Sequence, residues 1–171
     1  MKDNTEDSEV SLVDFGLSKT FGPGETCNDP YGTLCYVAPE ILLGKHYEKT
    51  VDIWSFGVVV YLLLGRHLPF DSLDEKEIGV ITIKNEISFE HEVWDPVSKE
   101  AKDLLLKLLD KNPLTRIKIN QVLEHPWITG GDKDIKALRN NAIKSSDTIM
   151  QFVSYSNTSL DKVEENSPRA F

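Results

Sequence analysis

An Asp-Phe-Gly triplet, residues 14–16, directly follows a short apolar run, residues 10–13, whose composition suits a buried strand end. An acid placed at such a strand end is well sited to hold a metal ion. Further along, Ala38-Pro39-Glu40 reads as the start of a short helix. Pro39 suits its first turn, Glu40 favours its positive end and Gly44 can terminate it. Between the two triplets lies a polar loop with Gly22, Pro23, Gly24, Asn28, Asp29 and Pro30. It has no apolar period and is expected to be mobile. Other residue types with chemical reach are sparse. His125 has no second His or Cys nearby and is read as structural rather than as a metal ligand. His46, His67 and His91 read as surface residues of connections, and Cys27 and Cys35, without a metal spacing, as free thiols.

The elements that must position these residues follow from apolar periodicity. Residues 51–64, VDIWSFGVVVYLLL, are apolar nearly all round, the pattern of a helix buried on every side, with Thr50 as cap and Asp52 in its first turn. Residues 72–85 read as a moderate helix interrupted by Gly79. Val97, Ala101, Leu104, Leu105, Leu108 and Leu109 fall at helical spacing, with Ser98 as cap and Pro113 as the stop. Residues 114–127 hold Arg116 and end in His125-Pro126-Trp127. From residue 129 a linker and tail begin, with two short amphipathic segments around Ile135 and Ile149.

A chain of 171 residues with 40% hydrophobic residues can bury a core. A net charge of -9 and a pI near 4.9 disfavour nucleic acid, which calls for a basic face. The longest apolar run falls far short of the ~20 residues of a membrane span. No secretory signal follows Met1, so a cytoplasmic protein is expected, in whose reducing surroundings a Cys27–Cys35 disulfide is disfavoured.

Asp-Phe-Gly and Ala-Pro-Glu flanking a polar loop, then Asp52-Ile53-Trp54-Ser55-Phe56-Gly57 and the closing His-Pro-Trp, resemble the C-terminal lobe of a Ser/Thr protein kinase. The ending is most similar to that of the calmodulin-dependent and calcium-dependent group. The resemblance implies a mainly α fold: a helical lobe over residues 10–128, with the activation segment at 14–40 and the helical core at 41–128. Residues 1–9 would be a polar leader or the tip of a short β-hairpin remnant. Residues 129–171 would be a linker and flexible tail, with a possible regulatory helix near Met150. The sequence shows no His-Arg-Asp loop, glycine-rich loop or Val-Ala-Ile-Lys motif, so an N-terminal lobe is expected to be absent.

The same resemblance assigns roles residue by residue. Asp14 matches the acid that coordinates magnesium on ATP, with Phe15 setting its orientation and Gly16 allowing the turn. Thr33 matches the threonine that reaches toward the missing catalytic Asp, in the segment that receives the substrate. Asp29 stands where an activating phosphothreonine is common, and its carboxylate is a partial substitute for one; Thr26 is a weaker acceptor candidate. Glu40 and Arg116 correspond to a buried ion pair, and Asp52 to an acid that anchors the catalytic loop, which here risks burial without its donors. Arg66 and Lys118 replace the family's usual glycine and capping Ser or Thr. ATP and magnesium are implied for an intact kinase, with neither held tightly by this chain alone. A protein substrate and an N-lobe or calmodulin-like regulatory partner are implied as well. No Asp-x-Asp-x-Asp-Gly calcium loop is present. Two functions follow: a protein Ser/Thr kinase represented by a lobe not expected to act alone, or a non-catalytic kinase-like binding or regulatory module.

Overall fold

The computed structural model of the chain describes residues 11–130. Their regular structure is helical: a 3-10 turn at Leu34–Tyr36, α1 (Pro39–Leu42), α2 (Thr50–Gly65), α3 (Glu75–Lys84), a second 3-10 turn at Glu92–Trp94, α4 (Lys99–Leu108), α5 (Ile119–Leu123) and α6 (Pro126–Thr129). The β-type pairing among these residues is one isolated antiparallel bridge, Cys27 with Tyr47. The hairpin expected over residues 1–9, and the tail from residue 131 with its regulatory helix, lie outside the described residues.

Residues 11–13 are not the buried strand end that their composition implied. Leu12 is 86% exposed and Val13 80%, because among the described residues no strand lies beside them to take up their backbone groups or cover their side chains. Composition had marked them as apolar without supplying the partner.

The core forms around α2. Trp54, Val58, Tyr61 and Leu64 fall on one face and are fully covered, with Trp54 stacked on Phe70 at 5.7 Å and Tyr61 tilted against Trp94 at 4.6 Å. The Tyr61 hydroxyl leaves this apolar setting by donating to the Ser88 carbonyl at 2.6 Å. Gly57 lets α4 approach closely: a Cβ there would stand 2.9 Å from the Leu108 Cβ. The opposite face of α2 departs from the expectation of all-round burial. Phe56, Val59 and Leu63 are 43%, 41% and 40% exposed, on the same side as an exposed Asp52. Asp52 is therefore hydrated at the positive end of α2, not stranded in the core.

Several local expectations change with the coordinates. The cap position of α2 is Lys49, and the Thr50 hydroxyl makes no capping bond. Arg66 ends α2 in the left-handed region, φ 60, its N–H bonded to Leu62 O, which explains why a glycine is usual at that place. α3 runs through Gly79 without a break, started by Asp74, whose carboxylate accepts from Lys76 N at 3.0 Å. Ser98 caps α4 by accepting from Ala101 N at 3.1 Å. Lys118 at the start of α5 has no acceptor to offer, and the turn is held instead by Lys118 N donating to Gln121 Oε1 at 3.0 Å. His67 is half-buried, edge-on to Tyr61 at 5.3 Å, rather than a plain surface residue. His125 is structural: its buried ring accepts from Trp127 N through Nδ1, capping α6, and its Nε2 donates to Asp103 at 2.9 Å.

Arg116 ties three parts of the chain together. Its guanidinium donates in parallel to Glu40, Nη1 to Oε1 at 2.7 Å and Nη2 to Oε2 at 2.9 Å, with both side chains buried. Nη1 also reaches the Thr50 carbonyl at 3.0 Å, Nε reaches the Asp110 carbonyl at 2.9 Å, and the plane lies over Trp54 at 5.2 Å. The charge is thereby paired, hydrogen-bonded and stacked, the conditions under which a buried ion pair is tolerated.

Arg116→Ala should cost about 3–5 kcal/mol by stranding the Glu40 carboxylate, whereas joint replacement of both residues by packed apolar ones should cost much less. Denaturant unfolding of the two single alanine variants and the double variant measures the coupling; simple additivity would contradict the pairing. A second expectation concerns acid. Lys107, and then His125, hold the Asp103 carboxyl below its ordinary value of 3.8. Its contribution is thus present above that value and lost as pH falls through the lower folded-state value. Asp103→Asn should lower stability by about 0.3–1 kcal/mol at neutral pH, the range of an exposed pair, and the difference should vanish in strong acid. Thermal midpoints of both proteins across pH 2–7 give the comparison.

Candidate active site

Residues 14–40, the stretch expected to form an activation segment, run from an exposed start to a buried end. Asp14 turns through φ 64, and its Oδ1 accepts from Gly16 N at 3.3 Å. Phe15 and Leu17 are exposed beside it. The chain then passes along a cleft of 550 Å³ whose walls include Gly16, Asp29, Gly32, Thr33, Asp52 and Ser55. It ends at Ala38, Pro39 and Glu40, all buried, where Glu40 meets Arg116. Of the residues singled out in the sequence, the fold thus gathers Gly16, Asp29, Thr33 and Asp52 about one cleft. Asp14 and Phe15 stand outside its walls, and Thr26 is exposed on the loop.

Local chemistry explains the path. Gly32 takes φ 122, a backbone state that L side chains rarely adopt, and a Cβ there would crowd Val37 Cγ2 at 3.0 Å. The turn it makes carries Thr33 to the cap of the 3-10 turn Leu34–Tyr36, with its side chain exposed to the cleft. Beyond that turn, Ser55 Oγ on α2 donates to the Tyr36 carbonyl at 2.9 Å, with Val51 O at 3.2 Å. Asp29 is not matched with a cation in the way a phosphate would be: its Oδ2 accepts the Cys27 thiol at 3.1 Å, and its carbonyl accepts the Tyr47 hydroxyl at 2.7 Å. The polar loop is therefore anchored at Cys27, which is 5% exposed, although no apolar period announced it.

Three groups near the cleft, the Cys35 thiol and the phenols of Tyr36 and Tyr47, are held in their neutral forms. Burial, then the charge of Asp71, pushes the Cys35 thiol up, and burial raises Tyr36. Burial and the neighbouring Cys27 push Tyr47 up to about 12. A thiol kept protonated is a weak nucleophile, so Cys35 is expected to react slowly and is not a candidate catalytic nucleophile.

For magnesium the fit is partial. Asp14 offers hard carboxylate oxygens on an accessible turn, which suits an ion that takes one or two carboxylates along with phosphate and water. Among the described residues no group of three or more His, Cys, Asp or Glu side chains is placed to hold a metal by itself. No helix among them is long and apolar enough to cross a membrane.

Tyr47 and Ser55 are the site residues that sequence reasoning passed over. Both act on backbone carbonyls, and no spacing rule reports such a bond. Ser55 had one visible sign, a hydroxyl inside an otherwise apolar helix.

Comparison with known proteins gives the family. Residues 1–128 match the family described as protein kinase domain. Calcium-dependent protein kinase 11 of Oryza sativa subsp. japonica is 45% identical over 125 residues, 72% of this chain and 21% of the relative. Calcium-dependent protein kinase 21 of Arabidopsis thaliana is 45% identical over 133 residues, 78% of the chain and 25% of the relative. Calcium-dependent protein kinase 22 of Oryza sativa subsp. japonica is 38% identical over 168 residues, 96% of the chain and 28% of the relative. The chain thus spans 21% to 28% of the length of these relatives. With the family match covering residues 1–128, the chain belongs to the protein kinase domain family, and the relatives named above are calcium-dependent protein kinases.

Proposed function

We propose that this chain is the C-terminal lobe of a protein serine/threonine kinase, which transfers the γ-phosphoryl group of ATP to a hydroxyl of a protein substrate. The observation that carries this reading is the cleft: Thr33 from the activation segment and Asp52 from α2 share its walls, while the end of that segment is fixed to the helical core through Glu40 and Arg116. Asp14 would hold magnesium, which neutralises charge on the phosphates when bound. Gly32 and Thr33 would shape the place where the acceptor peptide lies. Glu40, Arg116 and Asp52 are structural in this scheme, the last facing the region that a catalytic loop occupies. Asp29 supplies a fixed charge at the place of an activating phosphate, and Thr26 remains an exposed acceptor.

Phosphoryl transfer needs a phosphate-binding lysine and a base near the incoming hydroxyl. The 171 residues show no motif for either, so they would come from an N-lobe partner or a longer chain. A calcium response would likewise reach these residues through a calmodulin-like partner, since the sequence has no calcium loop of the Asp-x-Asp-x-Asp-Gly type. The cytoplasm is the compartment that fits such a protein.

The test is a chimera. Residues 11–128 replace the matching stretch of Arabidopsis calcium-dependent protein kinase 21, and phosphate incorporation into a peptide is measured. The chimera should be active, and Asp14→Ala should lower its rate by about 10²–10³-fold, the scale of losing one electrostatic stabiliser. A folded but inactive chimera would favour the binding-module alternative. The isolated chain should bind magnesium-ATP only weakly. A calorimetric dissociation constant in the low micromolar range, about -8 kcal/mol, would contradict a half-built site.

A further inference from the structure

Tyr47 lies in the connection between α1 and α2 and meets the activation segment twice. Its backbone pairs with Cys27 in both directions, Cys27 N to Tyr47 O and Tyr47 N to Cys27 O, each at 2.8 Å. Its side chain reaches on to donate to the Asp29 carbonyl at 2.7 Å, an acceptor that also takes Tyr31 N at 3.0 Å. The Cys27 thiol closes the same turn by donating to the Asp29 carboxylate at 3.1 Å. At the other end, Ser55 holds the Tyr36 carbonyl at 2.9 Å. Gly32 and Thr33 are therefore slung between two anchors, one just ahead of α2 and one on it. Such a tether shortens the free loop and lowers the entropy lost when the segment is ordered.

We infer that Tyr47 is a positioning residue: its hydroxyl, acting through Asp29 and Cys27, fixes the stretch that carries Gly32 and Thr33 over the cleft. The functional meaning rests on the kinase reading, while the tether itself rests on the contacts above. Because its phenol titrates at about 12, the hydroxyl is a donor throughout the neutral range. Cys27, 5% exposed, reacts when this tether opens, and the half-buried Cys35 beyond the Ser55 anchor serves as an internal reference.

The experiment uses the 171-residue chain with iodoacetamide as probe, the two thiols being followed separately by mass spectrometry. Amide hydrogen exchange is recorded in parallel. Tyr47→Phe keeps the ring and the backbone bridge and removes one hydrogen bond. It should raise the alkylation rate at Cys27 and the exchange rates at the hydrogen-bonded amides of Cys27, Tyr31 and Tyr47 by about fivefold, the opening expected from losing one such bond. Cys35 reactivity and the thermal midpoint should stay unchanged. Equal Cys27 rates in both proteins would overturn the inference, as would a parallel rise at both thiols with a lower midpoint, which marks general destabilisation. In the unsubstituted chain, amides of Cys27 and Tyr47 that exchange as fast as that of Asn28 would overturn it without any variant. None of these readouts requires catalysis, so failure of the kinase reading shows in the chimera and not here.

Discussion

The bidentate pair of Glu40 and Arg116 is the constraint on which the remaining geometry rests. A guanidinium buried to this degree must be satisfied at each of its nitrogens, and here the acceptors come from α1, the first turn of α2 and the turn after α4. None of these can shift without leaving a charge or a carbonyl unmatched, so α1, in which the stretch 14–40 ends, and the start of α2 are held in one frame. The cleft borders that frame through Ile41, Val51 and Asp52. Its wall on the α2 side, Asp52 and Ser55, is set by the same helix whose first carbonyl Arg116 holds.

The order in which the segment is fixed follows from this. Its end is held by charge, its middle by Ser55 and the Gly32 turn, and its earlier part by Tyr47, whereas Asp14 and Phe15 stand in solvent on a left-handed turn. Anchorage thus weakens toward the Asp-Phe-Gly end. Within this chain the cleft has a firm floor and a rim that depends on what packs against it.

Helices were legible in the sequence where periodicity and caps coincide. The Ser98 cap and the apolar face of α4 could be read directly, as could the proline-led start of α1. The Glu40 and Arg116 contact came into view through motif resemblance, since no local rule joins residues 76 apart in sequence. What stayed hidden depends on neighbours. An apolar composition could not reveal that α2 is covered on one side and open on the other, or that residues 11–13 are exposed with no partner strand among the described residues. Tyr47 was hidden because its bonds go to carbonyls, which every residue carries.

The open face of α2, Phe56, Val59 and Leu63, bears on how the chain behaves in bulk solution. An apolar stripe of this kind is sticky, and what keeps copies of the chain apart at neutral pH is mutual repulsion from a net charge of -9. That repulsion fades as carboxylates protonate and vanishes near pH 4.9. Solubility is therefore governed by salt and acidity: screening shortens the reach of the charges while leaving the stripe untouched, so clustering grows with ionic strength and peaks around the isoelectric point.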